Sequence, residues 1–290
     1  MYSTLVERIS QQLLSDNIKG GLLSLPENLI SLRRLCHMPN TDVYDVELAV
    51  AKEPSFAAYI LKLANSALYG GGKEPCQNLV SVVKRIGIHN VSQYALTFAL
   101  EKLHERPNIP EAFSLLLRSN WQAAWGGAQD ATLLYSQHRL TGNPETKEID
   151  ISDVLMLGVL LHTGRLAIFT DFYLQDQDGN FYVEQFICDA ADKLNVKLLP
   201  LLFTHWGLPA SYSQLFSTVP EIKQPLHAID YLFAAALLKA YPKKQLAAVS
   251  AHYNFVLATF NADEIIKLAE RLSCLGILTM DDLNLESITA

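Results

Sequence analysis

Glu53-Pro54-Ser55-Phe56-Ala57-Ala58-Tyr59-Ile60-Leu61-Lys62-Leu63-Ala64-Asn65-Ser66-Ala67-Leu68-Tyr69-Gly70 is the stretch that decides the fold class. Pro54 sits where a first helical turn has no use for an N–H, and Phe56, Ile60, Leu63 and Ala67 follow at helical intervals. The stripe predicts a helix that stops at Gly70-Gly71-Gly72. The same punctuation recurs outward in both directions. Thr4 and Glu7 read as a capping box for a helix bearing Leu5, Ile9 and Leu13. Pro26 opens a helix with Leu29, Leu32 and Leu35, and a short one around 46–51 follows the break at Pro39-Asn40. On the C-terminal side Leu79, Val83 and Ile86 line a helix that stops at Gly87, and the next runs from near Asn90 to about His104.

Helical patterning resumes at Glu111 and reaches about Leu140. Residues 150–169 read as one apolar helix with a polar interruption, 183–194 and 200–206 as two more, and at least three helices follow Pro220. Leu and Ala together exceed a quarter of the 290 residues, against 14 Gly and 12 Pro, and no convincing strand set appears. The predicted fold is all-α, a multi-helix bundle. Arg106-Pro107-Asn108-Ile109-Pro110 is the best internal boundary, giving an N-terminal half at 1–107 and a second half at 108–219. Helices of 220–290 are expected to cover that second half, because Leu226, Leu232, Leu237 and Leu246 need a surface to bury against.

Charge and cysteine usage narrow the function classes. The net charge is −7, and Arg33-Arg34, Lys84-Arg85 and Lys239 with Lys243-Lys244 are explained as solvated helix positions. Without a basic face to release counterions, nucleic acid is excluded as the main partner. Cys36, Cys76, Cys188 and Cys274 form no CxxC pair, so reduced thiols and a cytoplasmic location are expected. The opening residues read as an amphipathic helix rather than a signal peptide. The longest apolar stretches, 154–161 and 231–238, are too short to span a bilayer, so no membrane is expected as a partner.

Two tempting motifs fail. Gly70-Gly71-Gly72-Lys73 would need a glycine at Ala67 and a hydroxyl at Glu74 to wrap phosphate and hold magnesium. Asp176-Gln177-Asp178-Gly179, aligned as a calcium loop, puts Leu174 and Gln185 where carboxylates are required.

A more specific pattern spans most of the chain. It comprises Leu23-Ser24-Leu25-Pro26-Glu27, Glu47-Leu48-Ala49, Glu53-Pro54 and Leu61-Lys62-Leu63-Ala64-Asn65-Ser66-Ala67-Leu68-Tyr69-Gly70. Ser81-Val82, Ile86-Gly87, Leu160-Leu161-His162-Thr163-Gly164-Arg165-Leu166 and Trp206-Gly207-Leu208-Pro209 complete it. This order and spacing resembles the HDOD family, a divergent branch of the HD superfamily of metal-dependent phosphohydrolases. The resemblance covers about residues 22–212.

The resemblance implies where a metal site would lie. Catalytic HD proteins gather imidazoles and carboxylates around one or two metals that acidify water and stabilise phosphoryl oxygens. The first histidine position falls here at Ser119 or Asn120, the His-Asp pair at His162-Thr163, a later histidine at Asn195 and the terminal aspartate at Asp230. A hydroxyl and carboxamides are poor substitutes for imidazole or anionic ligands, so no catalytic residue, metal or cofactor is expected. His205, ten residues past Asn195, would lie ~15 Å further along a continuous helix and roughly 80° off its face.

Plainer roles compete for each position. His162 on an apolar helix reads first as a core histidine, and Asp230 as bonding a helix end or pairing with a cation such as Arg165. Asn65 and Ser66 read as satisfying backbone groups near the Gly loop, and Trp206 before Gly207 and Pro209 as a packing anchor. Arg118, Arg139 and Arg165 could ring an anion pocket, though solvated arginines are the ordinary case. The expected function is a non-catalytic bacterial signalling module whose partner is another signalling protein, with a small phosphate-containing ligand as a further candidate. The alternatives are a residual phosphohydrolase acting on a nucleotide or cyclic dinucleotide, and a sensor that uses the old cavity without chemistry.

Overall fold

The computed structural model describes residues 2–16, 23–70, 74–105, 109–176, 182–208, 210–216, 218, 220–241, 257, 260–284 and 287. Gly71, Gly72, Pro107, Pro209, Lys243, Lys244 and Leu246 lie outside the described residues. The fold is all-α: α1 (Tyr2–Asp16), α2 (Glu27–Cys36), α3 (Val43–Ala51), α4 (Pro54–Ala64), α5 (Ala67–Gly70), α6 (Leu79–Ile86), α7 (Ile88–His104) and α8 (Glu111–Leu140). Then come α9 (Ile151–Leu160), α10 (Thr163–Gln175), α11 (Glu184–His205), α12 (Ala210–Leu215), α13 (Ala228–Ala240) and α14 (Ala262–Cys274). They divide into two compact units, residues 25–103 and residues 1–24 with 104–290.

In the first unit, Pro54 opens α4 as the sequence predicts, and Phe56, Ile60 and Ala64 are its buried face. α3 begins earlier than its apolar pattern indicated, because Asp42 and Asp45 form a reciprocal capping box at its start. The Leu63-Ala64-Asn65-Ser66 run ends α4 by side-chain bonding. Asn65 grips the backbone of Cys76 on both edges, accepting from its N–H at 2.7 Å and donating to its carbonyl at 3.1 Å. Ser66 Oγ donates to the Leu63 carbonyl at 2.6 Å, and Arg85 donates to the carbonyls of Ala64 and Glu74. Tyr69 and Tyr94 share a hydroxyl contact of 3.0 Å, and Gly70 closes α5 with its N–H on the Ser66 carbonyl. The Asn-Ser pair of the motif thus ties the end of α4 to the segment before α6.

Asn65→Ala should therefore cost about 1–2 kcal/mol, since the partly buried Cys76 amide loses both partners. Urea titration followed by helical circular dichroism checks this. Asn65→Asp, which keeps only the acceptor, should fall between Ala and wild type.

In the second unit, α8 packs against α9, α10 against α11, and α13 against both α8 and α9, with α14 on α13. α1 belongs to this unit, packing on α10 and α11, so the division expected at Pro107 differs by the placement of the first helix. The reason is a specific tie: Arg8 donates to both carboxylate oxygens of the fully buried Asp171, at 3.3 and 2.6 Å. α1 also starts at Tyr2, so Thr4 lies inside the first turn rather than at its cap.

Two further helix boundaries in this unit differ from the periodicity. The apolar run 150–169 is not one helix; it breaks at Leu161-His162, and α10 continues to Gln175. The run Ile151–Gln175 is long and apolar enough by composition to cross a membrane, but 89% of its most apolar 18-residue stretch is buried inside the fold. Conversely, α11 is continuous through Pro200, where two helices were expected. Asn195 and His205 therefore share one helix, at the separation that keeps His205 away from the face of Asn195.

Candidate functional site at the corner of α9 and α10

The corner at Leu161-His162 sits between α8 and α11, and each contributes one buried carboxamide to it. Asn195 on α11 donates to the Leu161 carbonyl at 2.7 Å and accepts from the Arg165 N–H at 2.9 Å. Asn120 on α8 donates to the His162 carbonyl at 3.2 Å, and its Nδ2 lies 3.0 Å from Nε2 of His104. These contacts satisfy main-chain groups freed where α9 ends and α10 begins. His162 and Thr163 are both 1% exposed, and Thr163 Oγ1 turns back to the Leu160 carbonyl at 2.7 Å.

A guanidinium lies in this network. Arg165, 4% exposed, donates from Nε to Asn120 Oδ1 at 3.2 Å, pairs through Nη1 with Asp192, and lies over the Phe169 ring. Burial lowers its pKa, yet arginine remains charged under all ordinary conditions. Burial also pushes the Cys188 thiol up, and the charge of Arg165 pulls it the other way.

The sequence-predicted residues thus separate into two networks. Asn120, His162, Thr163 and Asn195 converge on the corner, and of the pair considered for the first position Asn120 is the one that points in. Ser119 is half-buried and bonds within α8, to the Leu116 carbonyl. Asp230 bonds elsewhere. Its carboxylate receives Nε and Nη2 of Arg271, both at 2.8 Å, and caps α13 by accepting from the His227 N–H. Both members of that pair are fully buried, and Arg271 also donates to the carbonyls of Glu221, Gln224 and Pro225. The cation expected for Asp230 is thus Arg271 rather than Arg165. The neighbouring Tyr231 bonds His138, eighteen residues beyond Asn120 on α8, or about 27 Å along that axis. The arginines do not form a ring either: Arg118 bonds Ser114 and Arg139 bonds Tyr135. Trp206 anchors the end of α11, donating to the Leu23 carbonyl at 2.9 Å, with Gly207 following in a left-handed conformation.

Sequence reasoning missed Asp192, Arg271 and His104. The first had a signal: Asp192 and Asn195 are three apart on one helix, so they share a face. Arg271 stands within the apolar stripe Ile265, Leu268, Ala269 and Leu272, and a cation there demands a buried partner.

These elements define a helical module whose candidate site is a closed polar network. The HDOD domain model matches residues 22–219, and the chain belongs to the HDOD family. A crystal structure from Shewanella amazonensis SB2B, of a proposed metal-dependent phosphohydrolase, matches with TM-score 0.66 and 17% identity over 95% of this chain and 98% of that one. A second, of an HDOD domain protein of unknown function from Geobacter sulfurreducens, matches with TM-score 0.54 and 17% identity over 95% and 99%. No curated protein matches significantly. At these identities the likeness is one of fold.

The resemblance to metal-dependent phosphohydrolases raises the question of a metal at this corner, and the residues present do not fit one. Both carboxamides are engaged by main chain, Asn120 also by the Arg165 side chain, and the Thr163 hydroxyl is turned back to the last carbonyl of α9. Among the described residues no cluster of three or more His, Cys, Asp or Glu is placed to hold a metal. A divalent ion would also share the corner with a buried guanidinium, whose charge repels it.

Proposed function

We propose that this chain is a non-catalytic regulatory module of bacterial signal transduction. The observation that carries the reading is the use of Asn120 and Asn195 as braces for the α9–α10 corner. Positions that bind metal in catalytic HD proteins are here spent on holding main-chain carbonyls. Such a site has no group able to acidify water for attack on phosphate. Its value lies in a helical surface, and its partner is another signalling protein, with a small phosphate-containing ligand as a further candidate. A cytoplasmic location accords with four free thiols.

Purified, untagged protein is expected to contain well under one equivalent of metal by elemental analysis. It should not turn over generic phosphoesters or cyclic dinucleotides with added manganese, iron or magnesium. Near-stoichiometric metal together with turnover lost in His162→Ala would overturn the reading in favour of a residual phosphohydrolase. Ligand binding without turnover would identify a sensor.

A further inference from the structure

We infer that the outer face of α8 is a self-association surface, on which a second copy of this chain docks its own α8 antiparallel across a two-fold axis. α8 has 30 residues and runs for about 45 Å. Its buried face, from Phe113 to His138, packs on α9, α10 and α13. The opposite face looks into solvent, yet it carries Leu115, Leu133 and Leu140 at 55%, 57% and 88% exposure. At about 100° per residue these three fall within about 20° of one line. Across the same face, about 70° round the helix, the half-buried Trp125 stacks on Trp121 with ring centroids 5.9 Å apart. Only Glu111, Arg118, Asp130 and Arg139 are charged along the helix, and Asp130 is turned to Lys239 on α13. Aromatic and apolar side chains with charge depleted are the composition of an interface core.

The symmetry of the face names the occupant. A two-fold contact needs a patch that matches itself with its direction reversed. Leu115 and Leu133 are equidistant from position 124, and Glu111 and Arg139 from position 125. An axis beside these positions therefore sets Leu115 of each copy against Leu133 of the other. It also faces the two Trp125 rings and brings Glu111 beside Arg139. A parallel pairing would instead set Glu111 on Glu111 and Arg118 on Arg118, with the helix dipoles aligned. A face about 45 Å long and 10–12 Å wide buries roughly 1,000 Å² over both copies, the least that a specific contact needs. The dimer is accordingly weak, with dissociation in the micromolar range.

Sedimentation velocity of the full-length chain, from low to several hundred micromolar, tests this. The average mass should rise from monomer towards dimer across that range. Leu133→Glu and Leu115→Glu should each raise the dissociation constant at least about tenfold. Their helical circular dichroism should match wild type, since both side chains already face water. Cross-linking fixes the register. On a Cys274→Ser background, which removes an exposed thiol, Leu115→Cys and Leu133→Cys proteins are mixed and treated with a short bismaleimide. Covalent dimer should form in the mixture well above either protein alone, because identical positions lie about 27 Å apart along the antiparallel pair. A monomer throughout the range, a dimer indifferent to Leu133→Glu, or equal cross-linking in the single proteins would overturn the inference. So would a monomer that binds a different chain through this face, with binding lost in Leu133→Glu, which would assign the face to a heterologous partner. None of these outcomes depends on whether the protein turns over phosphoesters.

Discussion

Gly164→Ala is expected to destabilise the protein by more than about 3 kcal/mol, although alanine is the better helix former by about 1 kcal/mol. A Cβ at this position of α10 would lie 2.1 Å from the Asn195 carbonyl oxygen and 2.7 Å from its carbon. The obstacle is the backbone of α11, so no side-chain rotation relieves it and the two helices must separate. Separation stretches the bonds from Asn195 to Leu161 and Arg165 and opens the core between α10 and α11. Gly126→Ala is the internal control, because its Cβ meets nothing within 4 Å on the outer part of α8. That variant should gain about 0.5–1 kcal/mol from helix propensity alone. Denaturation of both variants beside wild type checks the pair, and a Gly164→Ala protein within 1 kcal/mol of wild type would refute the close-approach argument.

Arg271→Met is expected to cost about 3–5 kcal/mol, because it strands a fully buried carboxylate. It also removes the donors that hold the carbonyls of Glu221, Gln224 and Pro225, the segment leading into α13. Asp230→Leu should cost a similar amount by stranding the guanidinium. The double variant Asp230→Leu/Arg271→Met leaves no isolated charge and should recover a large part of the loss, giving a coupling of at least about 2 kcal/mol. Strict additivity of the two single losses would show that the pair is not a unit. Arg271→Met should also be cleaved faster in the 220–226 segment under limited proteolysis, while Asn65→Ala, in the other unit, should not change that site.

How much of this was legible differs between elements. The start of α4 was readable because Pro54 and the Phe56–Ile60 spacing are local, whereas its end, expected at Gly70, comes at Ala64, where Asn65 turns to the backbone of Cys76. The break between α9 and α10 was not. Burial runs continuously through it from Val154 to Phe169, with His162, Thr163 and Arg165 as buried as the apolar residues on either side. What ends α9 is Asn195, 34 residues away in sequence, taking the Leu161 carbonyl. Pro200 misled in the opposite sense, since a proline that ends an isolated helix is tolerated here within α11, which is buried against α10 and α1. The ligand-by-ligand mapping placed Asn120, His162 and Asn195 at one corner. Asp230 escaped it because its partner lies 41 residues downstream on α14.

The sequence by itself determined the helical class and the family. Those follow from spacing, caps and residue chemistry, each carried within a turn or two of the chain. Only the tertiary structure decided how the polar groups buried at the α9–α10 corner are satisfied: two carboxamides on α8 and α11 bonded to main-chain carbonyls, and Arg165 among them. The physical reason is that a polar side chain becomes costly only when burial removes its water, and burial is set by packing of helices distant in sequence. Which partner then satisfies it depends on distances that no local pattern encodes.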